Sequence, residues 1–245
     1  MYEALKLVVS PLLAITLLAL GDGYFTTFVS VRLSLEGWSE VSIGCVQSAY
    51  FLGQCIGAWR NKRLILRVGF IRSLCVFASI LAASVLIQAQ GPHIIVLALL
   101  RFIGGVSIVG IYIIGESWIL RMSSHTTRGV ILSLYMIFYY GAFVISQSIF
   151  DHIDVRSLSP YLFTATMVSL CSLPVALTRV TSPDFGTPPR LSVKELMKGS
   201  TLGFFGCGLA GMLLAAVYAF MPIFAHESGY SVSKIMVSTI GGGVL

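Results

Sequence analysis

Apolar stretches of helix length alternate with short polar interruptions along almost the whole chain. A span of about 20 apolar residues crosses the hydrocarbon layer of a bilayer. Seven such spans can be drawn, over 7–31, 41–59, 71–90, 94–118, 129–150, 160–178 and 201–224, and an eighth begins at 235. The pattern predicts an all-α fold, a polytopic helical membrane protein. The first apolar run follows Lys6 in the manner of a secretory leader, but it continues past Gly21 to Val31. With no small-x-small cleavage site behind a short core, it reads as a retained first span. The longest polar interruption, 179–200, holds Pro183, Gly186, Pro188 and Pro189 and then an amphipathic LSVKELMK, which is the composition of a linker. The expected organisation is a six-helix unit at 1–178, a central loop at 179–200, and the beginning of a second unit at 201–245.

Composition agrees. Of 245 residues, 56% are hydrophobic and only 11% charged, with a mean hydropathy of +0.90, against about 25% charged in a soluble domain. The net charge of +6 does not point to nucleic acid, because the basic residues fall in clusters between spans. With a cytoplasmic N-terminus, Lys6, Arg60, Lys62, Arg63, Arg67, Arg72, Arg121, Arg128, Arg179, Arg190, Lys194 and Lys198 all lie inside, and only Arg32, Arg156 and Lys234 lie outside. That is a strong positive-inside bias. Trp38, Trp59 and Trp118 fall at span ends, where an aromatic belt is expected. The five Cys are scattered through apolar spans with no CxxC and read as small packing residues.

The eighth span resembles the second in how it begins. Phe28, Gly37-Trp38-Ser39 and Ile43 recur as Phe220, Gly229-Tyr230-Ser231 and Ile235 at a constant offset of 192, with Glu36 and Glu227 in the two loops. Parallel six-helix repeats are a transporter architecture.

Charges inside spans are the candidate chemistry, because they cost about 2.5–3.5 kcal/mol on insertion scales and are functional-site candidates by default. Arg101 lies in the fourth span and Asp22, between two glycines, in the first. At a rise of 1.5 Å per residue they sit roughly 7 Å and roughly 4 Å outward of their span midpoints, so they share a depth. Two roles fit: a transport site, with Asp22 taking a proton or cation and Arg101 an anionic group, or a structural ion pair. Gln47, Tyr50 and Gln54 make one polar face on the second span, and Tyr135, Tyr139, Tyr140 and Gln147 a similar face on the fifth. In lipid such faces turn towards a cavity or a neighbouring helix. Glu116 lies roughly 15 Å inward of the fourth-span midpoint, at the cytoplasmic edge, where Arg67, Arg121 and Arg128 are candidate latch partners. Gly53-x3-Gly57 reads as a helix-packing motif. Gly206-x-Gly208-x2-Gly211 matches a dinucleotide fingerprint in letters, but no strand precedes it, so it reads as packing too. The four His are far apart, Asp151-His152-x-Asp154 is too small for a metal site, and no GxSxG, HExxH or P-loop occurs.

Four motifs carry a family resemblance: Arg101-x3-Gly105, Glu116-Ser117-Trp118, Arg128-Gly129 and Val68-Gly69-Phe70-Ile71-Arg72. Together they resemble the major facilitator superfamily, secondary transporters of two six-helix halves, and within it the YcaD-like bacterial carriers. Two departures stand out. The family's Gly-x3-Asp-Arg/Lys-x-Gly loop is represented here by Gly57-x3-Asn61-Lys62-Arg63-Leu64, without the acidic residue and second glycine. The Gly-Pro-rich motif of drug/proton antiporters is absent from the fifth span. A complete member would continue past Leu245, and a truncated or partial chain is expected.

The resemblance implies a secondary active transporter of a small solute in the cell inner membrane, working by alternating access. Its partners would be the solute, a coupling proton or ion and the lipid bilayer, with no cofactor. Asp22, Arg101, Gln47, Tyr50, Gln54 and Tyr139 are the expected cavity residues, and Glu116, Arg67 and Arg128 the cytoplasmic gate. A non-transporting membrane protein, such as an inactive remnant or a sensor or assembly subunit, is the competing class. An enzyme is not expected.

Overall fold

The computed structural model of the protein describes residues 2–91, 93–124, 126–178, 197 and 199–242, with side chains from Val8 onward. Most of the 179–200 segment, including the LSVKELMK stretch apart from Met197, lies outside the described residues. The helices are α1 (Tyr2–Leu35), α2 (Glu40–Val68), α3 (Phe70–Gln88), α4 (Ile94–Met122), α5 (Arg128–Phe150), α6 (Ser159–Leu170), α7 (Leu173–Ala176), α8 (Thr201–Glu227) and α9 (Val232–Gly242). The sixth expected span is thus two helical pieces, α6 and α7. Among the described residues, six helices are long and apolar enough to cross a membrane, counting α6 and α7 together. The missing one of the seven expected spans is α2. It is 29 residues long, but its Gln47, Tyr50 and Asn61 are buried against other helices instead of facing lipid. It also outruns the expected 41–59, carrying Arg60, Lys62, Arg63 and Arg67 about two turns further before Gly69 ends it.

Helices α1 to α7 form one bundle with a continuous apolar core from Ala14 and Leu18 through Phe28, Leu74 and Ile108 to Trp118 and Val175. The α1–α2, α3–α4, α5–α6 and α8–α9 connections lie on one face, here called the Gly37 face, and the α2–α3 and α4–α5 connections on the opposite, Gly69 face. The closest packing is between α2 and α4. A Cβ added at Gly53 would strike the backbone of Phe102 and Val106, and one at Gly105 the backbone of Tyr50 and Gln54. Small residues let two membrane helices approach this closely, and dispersion contacts then hold them. Asn61 adds a polar tie, its Nδ2 donating to Val106 O at 2.7 Å. Where the family loop carries an acidic residue, this chain therefore has an amide docked on α4.

The repeat holds at the level of single hydrogen bonds. Gly37 N donates to Ser34 O, Trp38 N to Leu33 O and Ile43 N to Ser39 O. At the offset of 192, Gly229 N donates to His226 O, Tyr230 N to Ala225 O and Ile235 N to Ser231 O. Gly37 and Gly229 take φ values of 78° and 72°, a left-handed conformation that favours glycine. The same turn thus leads from α1 into α2 and from α8 into α9.

Helix α8 meets the bundle near the Gly37 face. There Ala219, Pro222, Ile223 and Ala225 are buried, the Tyr218 ring lies 5.6 Å from that of Phe143, Ser34 Oγ donates to Glu227 Oε1 at 3.3 Å, and Ser231 Oγ donates to Asp151 Oδ2. Towards the Gly69 face a space of about 1180 Å³ separates Cys55 and Ala58 of α2 from Phe204 to Met212 of α8.

Three expectations are corrected. Trp118 is not in an aromatic belt; it is wholly buried with its ring 6.0 Å from that of Phe70. Cys45, Cys55 and Cys207 are exposed instead of filling the core. A methyl group placed on Gly206, Gly208 or Gly211 would meet nothing within 4 Å, so these glycines pack no helix among the described residues.

Candidate functional site

Near the middle of α1 the backbone is gripped from two sides. Gln47 of α2 donates from Nε2 to Thr26 O at 3.1 Å and to Ser30 Oγ at 2.6 Å. Gln147 of α5 donates from Nε2 to Gly23 O at 2.8 Å and accepts from Thr27 Oγ1 at 3.0 Å. Buried amides are tolerable in a membrane interior only when partnered in this way. They fix the rotation of α1, and with it the direction of Asp22.

Asp22 and Arg101 do come to one level, but they form no ion pair within 4.0 Å. Tyr50 stands between them. Its hydroxyl donates to Asp22 Oδ1 at 2.6 Å, and the Arg101 guanidinium lies over its ring, 4.2 Å from the centroid. The Phe25 ring flanks the same guanidinium at 5.4 Å. Arg101 Nη2 also donates to Gln47 Oε1. Arg101, Gln47 and Tyr50 are each at most 3% exposed. The expected direct Asp–Arg pair is thus replaced by a relay of carboxylate, phenol, guanidinium and amide. A desolvated cation–π contact contributes about 2 kcal/mol or more, and charge-assisted hydrogen bonds are roughly twice as strong as neutral ones.

Asp22 is partly exposed. Besides Tyr50 and Arg101, Tyr112 of α4 and Tyr139 of α5 lie within Coulombic reach of it. Their rings meet edge to face at 5.8 Å. Tyr139 therefore stands beside the charged pair, as expected from its place on the polar face of the fifth span. Gln54 is one turn along α2 from Tyr50 and is partly exposed. The six expected cavity residues thus cluster around one carboxylate.

The expected gate is not assembled in the same way. Glu116 Oε1 accepts from Tyr135 Oη at 2.7 Å. Arg32 pairs with Glu36, and among the described residues neither Arg67 nor Arg128, both exposed, forms an ion pair with Glu116. Helix α5 brings a tyrosine to the carboxylate before either loop arginine reaches it.

Several further residues of the site carry little signal in the sequence. Phe25, Thr26 and Ser30 carry the α1 side of the relay. Ser84 and Gln88 of α3 and Thr164 of α6 join Asp22, Phe25, Tyr50 and Arg101 in lining a cavity of about 10 Å³ inside the bundle. Isolated polar residues in otherwise apolar spans are their only mark.

The fold and the buried charged cluster define a polytopic helical membrane protein. No family model matches the chain. It is 26% identical over 242 residues to an MFS-type transporter of Yersinia enterocolitica, covering 96% of this chain and 63% of that protein. It is 29% identical over 238 residues to the MFS-type transporter YcaD of Escherichia coli, covering 94% and 61%. A crystal structure of a D-xylose-proton symporter superposes with a TM-score of 0.61 at 21% identity, over 97% of this chain and 66% of that one. The chain thus spans about three-fifths of the length of the curated relatives it matches. The chain is thus similar to transporters of the major facilitator type over almost its whole length.

Proposed function

We propose that this protein is a secondary active transporter of a small solute, coupled to a proton taken up by Asp22. The observation that carries the reading is the relay itself. Asp22 has one oxygen engaged by Tyr50 Oη and is partly exposed, which leaves the second oxygen as the atom to take up the proton. Arg101 is held by Gln47 and two ring faces and keeps its charge. When Asp22 is protonated, Tyr50 loses an ionic acceptor and Arg101 its neighbouring counter-charge. The balance then favours an anionic or hydroxyl-rich solute beside the guanidinium. Coupling follows, because proton and solute act on one shared group.

The positive-inside pattern supports a cytoplasmic N-terminus in the cell inner membrane, which makes the Gly37 face the outer one. On that reading α8 closes against the bundle outside and stands away from it inside, the arrangement of an inward-open carrier. The Ser34–Glu227 and Asp151–Ser231 contacts are then outer latches that break when the carrier faces out. Glu116 with Tyr135 marks the inner rim, where Arg67 and Arg128 are available as partners in the outward-facing state.

The test is flux in proteoliposomes carrying an internal pH dye, challenged with a panel of sugars, organic acids and amines. At least one solute should drive a pH change. Asp22→Asn should abolish that pH change while solute counterflow persists. Counterflow lost together with the pH change would make Asp22 a structural residue, and no flux for any solute would favour a non-transporting membrane protein.

A further inference from the structure

The cavity beside Asp22 is not part of the space between α2 and α8. It lies inside the bundle, between α1, α3, α4 and α6, and three of its lining residues have an atom without a hydrogen-bond partner: Gln88 Oε1, Arg101 Nε and Thr164 Oγ1. These residues are at most 2% exposed. One donor, one acceptor and one hydroxyl converge on a space of about 10 Å³, about the size that holds one water. Such a water accepts from Arg101 Nε and donates to Gln88 Oε1, leaving a hydrogen bond for Thr164. Unpaired buried polar groups are costly, and the set is satisfied by this one ligand.

A second cavity of about 60 Å³ lies towards the Gly37 face, lined by Arg32, Glu36, Trp38, Tyr161 and, again, Gln88. Gln88 is therefore a wall common to both. The mouth of the second cavity is polar and fixed. Arg32 donates to Glu36 and to the carbonyls of Val155 and Arg156, and Trp38 Nε1 donates to Glu36 Oε2 at 3.3 Å. Gln88 itself is anchored through Nε2 to Ser84 O at 3.1 Å, and its carbonyl oxygen is without a hydrogen-bond partner.

We propose that the bundle interior holds a hydrated proton path from the outer mouth at Arg32, Glu36 and Tyr161, past Gln88, to the Asp22 carboxylate, separate from the route taken by the solute. It rests on the reading of Asp22 as a proton acceptor. A proton enters as hydronium at Glu36. Each water passes one proton on as it receives another, the last O–H bond forms on Asp22, which becomes neutral, and the waters, now reversed in orientation, rotate back to reset the chain. Charged and titratable groups facing Asp22 are Arg101 and Tyr112 from α4, Tyr50 from α2 and Tyr139 from α5. The cavity residues from α3 and α6 are uncharged. The Asp22 carboxylate offsets the field of Arg101, which by itself would repel a hydronium. Tyr112 and Tyr139 are not among the residues that line the cavity beside Asp22.

Silver ion, a small cation that follows water to thiols, is the probe. The purified chain, its five native Cys replaced by Ser, is sealed in vesicles with the Gly37 face outward. Thr164→Cys should be blocked by external silver about tenfold faster than the lipid-facing Ile80→Cys, and adding Gln88→Leu should remove about that factor, the effect of one water-bearing group on a barrier. A Thr164→Cys rate equal to the Ile80→Cys rate overturns the path, as does a rate unchanged by Gln88→Leu. Native folding of each variant is checked by its thermal transition, and Gln88→Glu, which keeps the acceptor, should retain the rate. Silver access does not depend on protonation of Asp22, so failure of that reading shows separately, as a pH change insensitive to Asp22→Asn.

Discussion

Arg101→Ala is expected to destabilise the bundle by about 3–5 kcal/mol, the range for removing one partner of a buried charged set, and to end solute flux. The variant removes the cation over the Tyr50 and Phe25 rings, strips Gln47 Oε1 of its donor, and leaves the Asp22 charge without compensation. Arg101→Lys should not rescue it. An ammonium is a point charge and lacks the flat fork that stacks on Tyr50 while donating to Gln47. The double variant Asp22→Asn with Arg101→Met should regain much of the lost stability, because both charges are gone, yet remain without flux. Thermal unfolding in detergent measures the first quantity and vesicle flux the second. An Arg101→Ala protein of native stability would show that the relay is not a coupled unit.

The second large effect lies at the α2–α4 crossing. Gly105→Val would place a branched side chain on the backbone of Tyr50 and Gln54. The flexible end of a side chain can move aside, but a helix backbone cannot, so the two helices must part. Overpacking costs about 1–3 kcal/mol in ordinary cores, and a backbone collision belongs at or beyond the top of that range. Tyr50 is the residue struck, so the same change moves its ring from Arg101 and its hydroxyl from Asp22. Gly141→Val, at a position with nothing within 4 Å, is the control and should be close to neutral. A proteolysis comparison of the two variants checks this; equal resistance would contradict the close crossing.

Depth is legible in the sequence, and direction is not. Counting along apolar spans puts Asp22 and Arg101 at one level, and the structure has them there. A count along a helix fixes height but not azimuth relative to a neighbour, so it pairs the two charges directly and misses that Tyr50 stands between them. The same gap applies to Trp118, whose position at a span end fits both a lipid-facing belt and an inward contact with Phe70. It also offers loop arginines to Glu116 and does not reveal that Tyr135, a residue of the next span, donates to it. Local turn chemistry is read more faithfully. Gly37-Trp38-Ser39 and Gly229-Tyr230-Ser231 suggest a repeated turn, and the hydrogen bonds match pair for pair because the glycine conformation dictates them. Gln88 and Thr164 escape notice because one polar residue in an apolar helix has no periodicity to announce it. The polar face of α2 is visible in the sequence, and the same polar residues keep the helix's hydropathy below that of the other spans; their burial against other helices is what makes that composition tolerable.

Whether Asp22 exchanges a proton decides between a coupled carrier and a fixed structural cluster, and infrared titration of its carboxyl in the purified protein measures this directly. A protonated carboxylic band is expected that is absent from Asp22→Asn, disappears in one proton step as pH rises, and moves to lower pH when a solute that competes for Arg101 is removed. An Asp22 carboxylate that stays ionised across the whole pH range, with or without solute, would mark it as the fixed half of a structural pair and contradict proton coupling at this site.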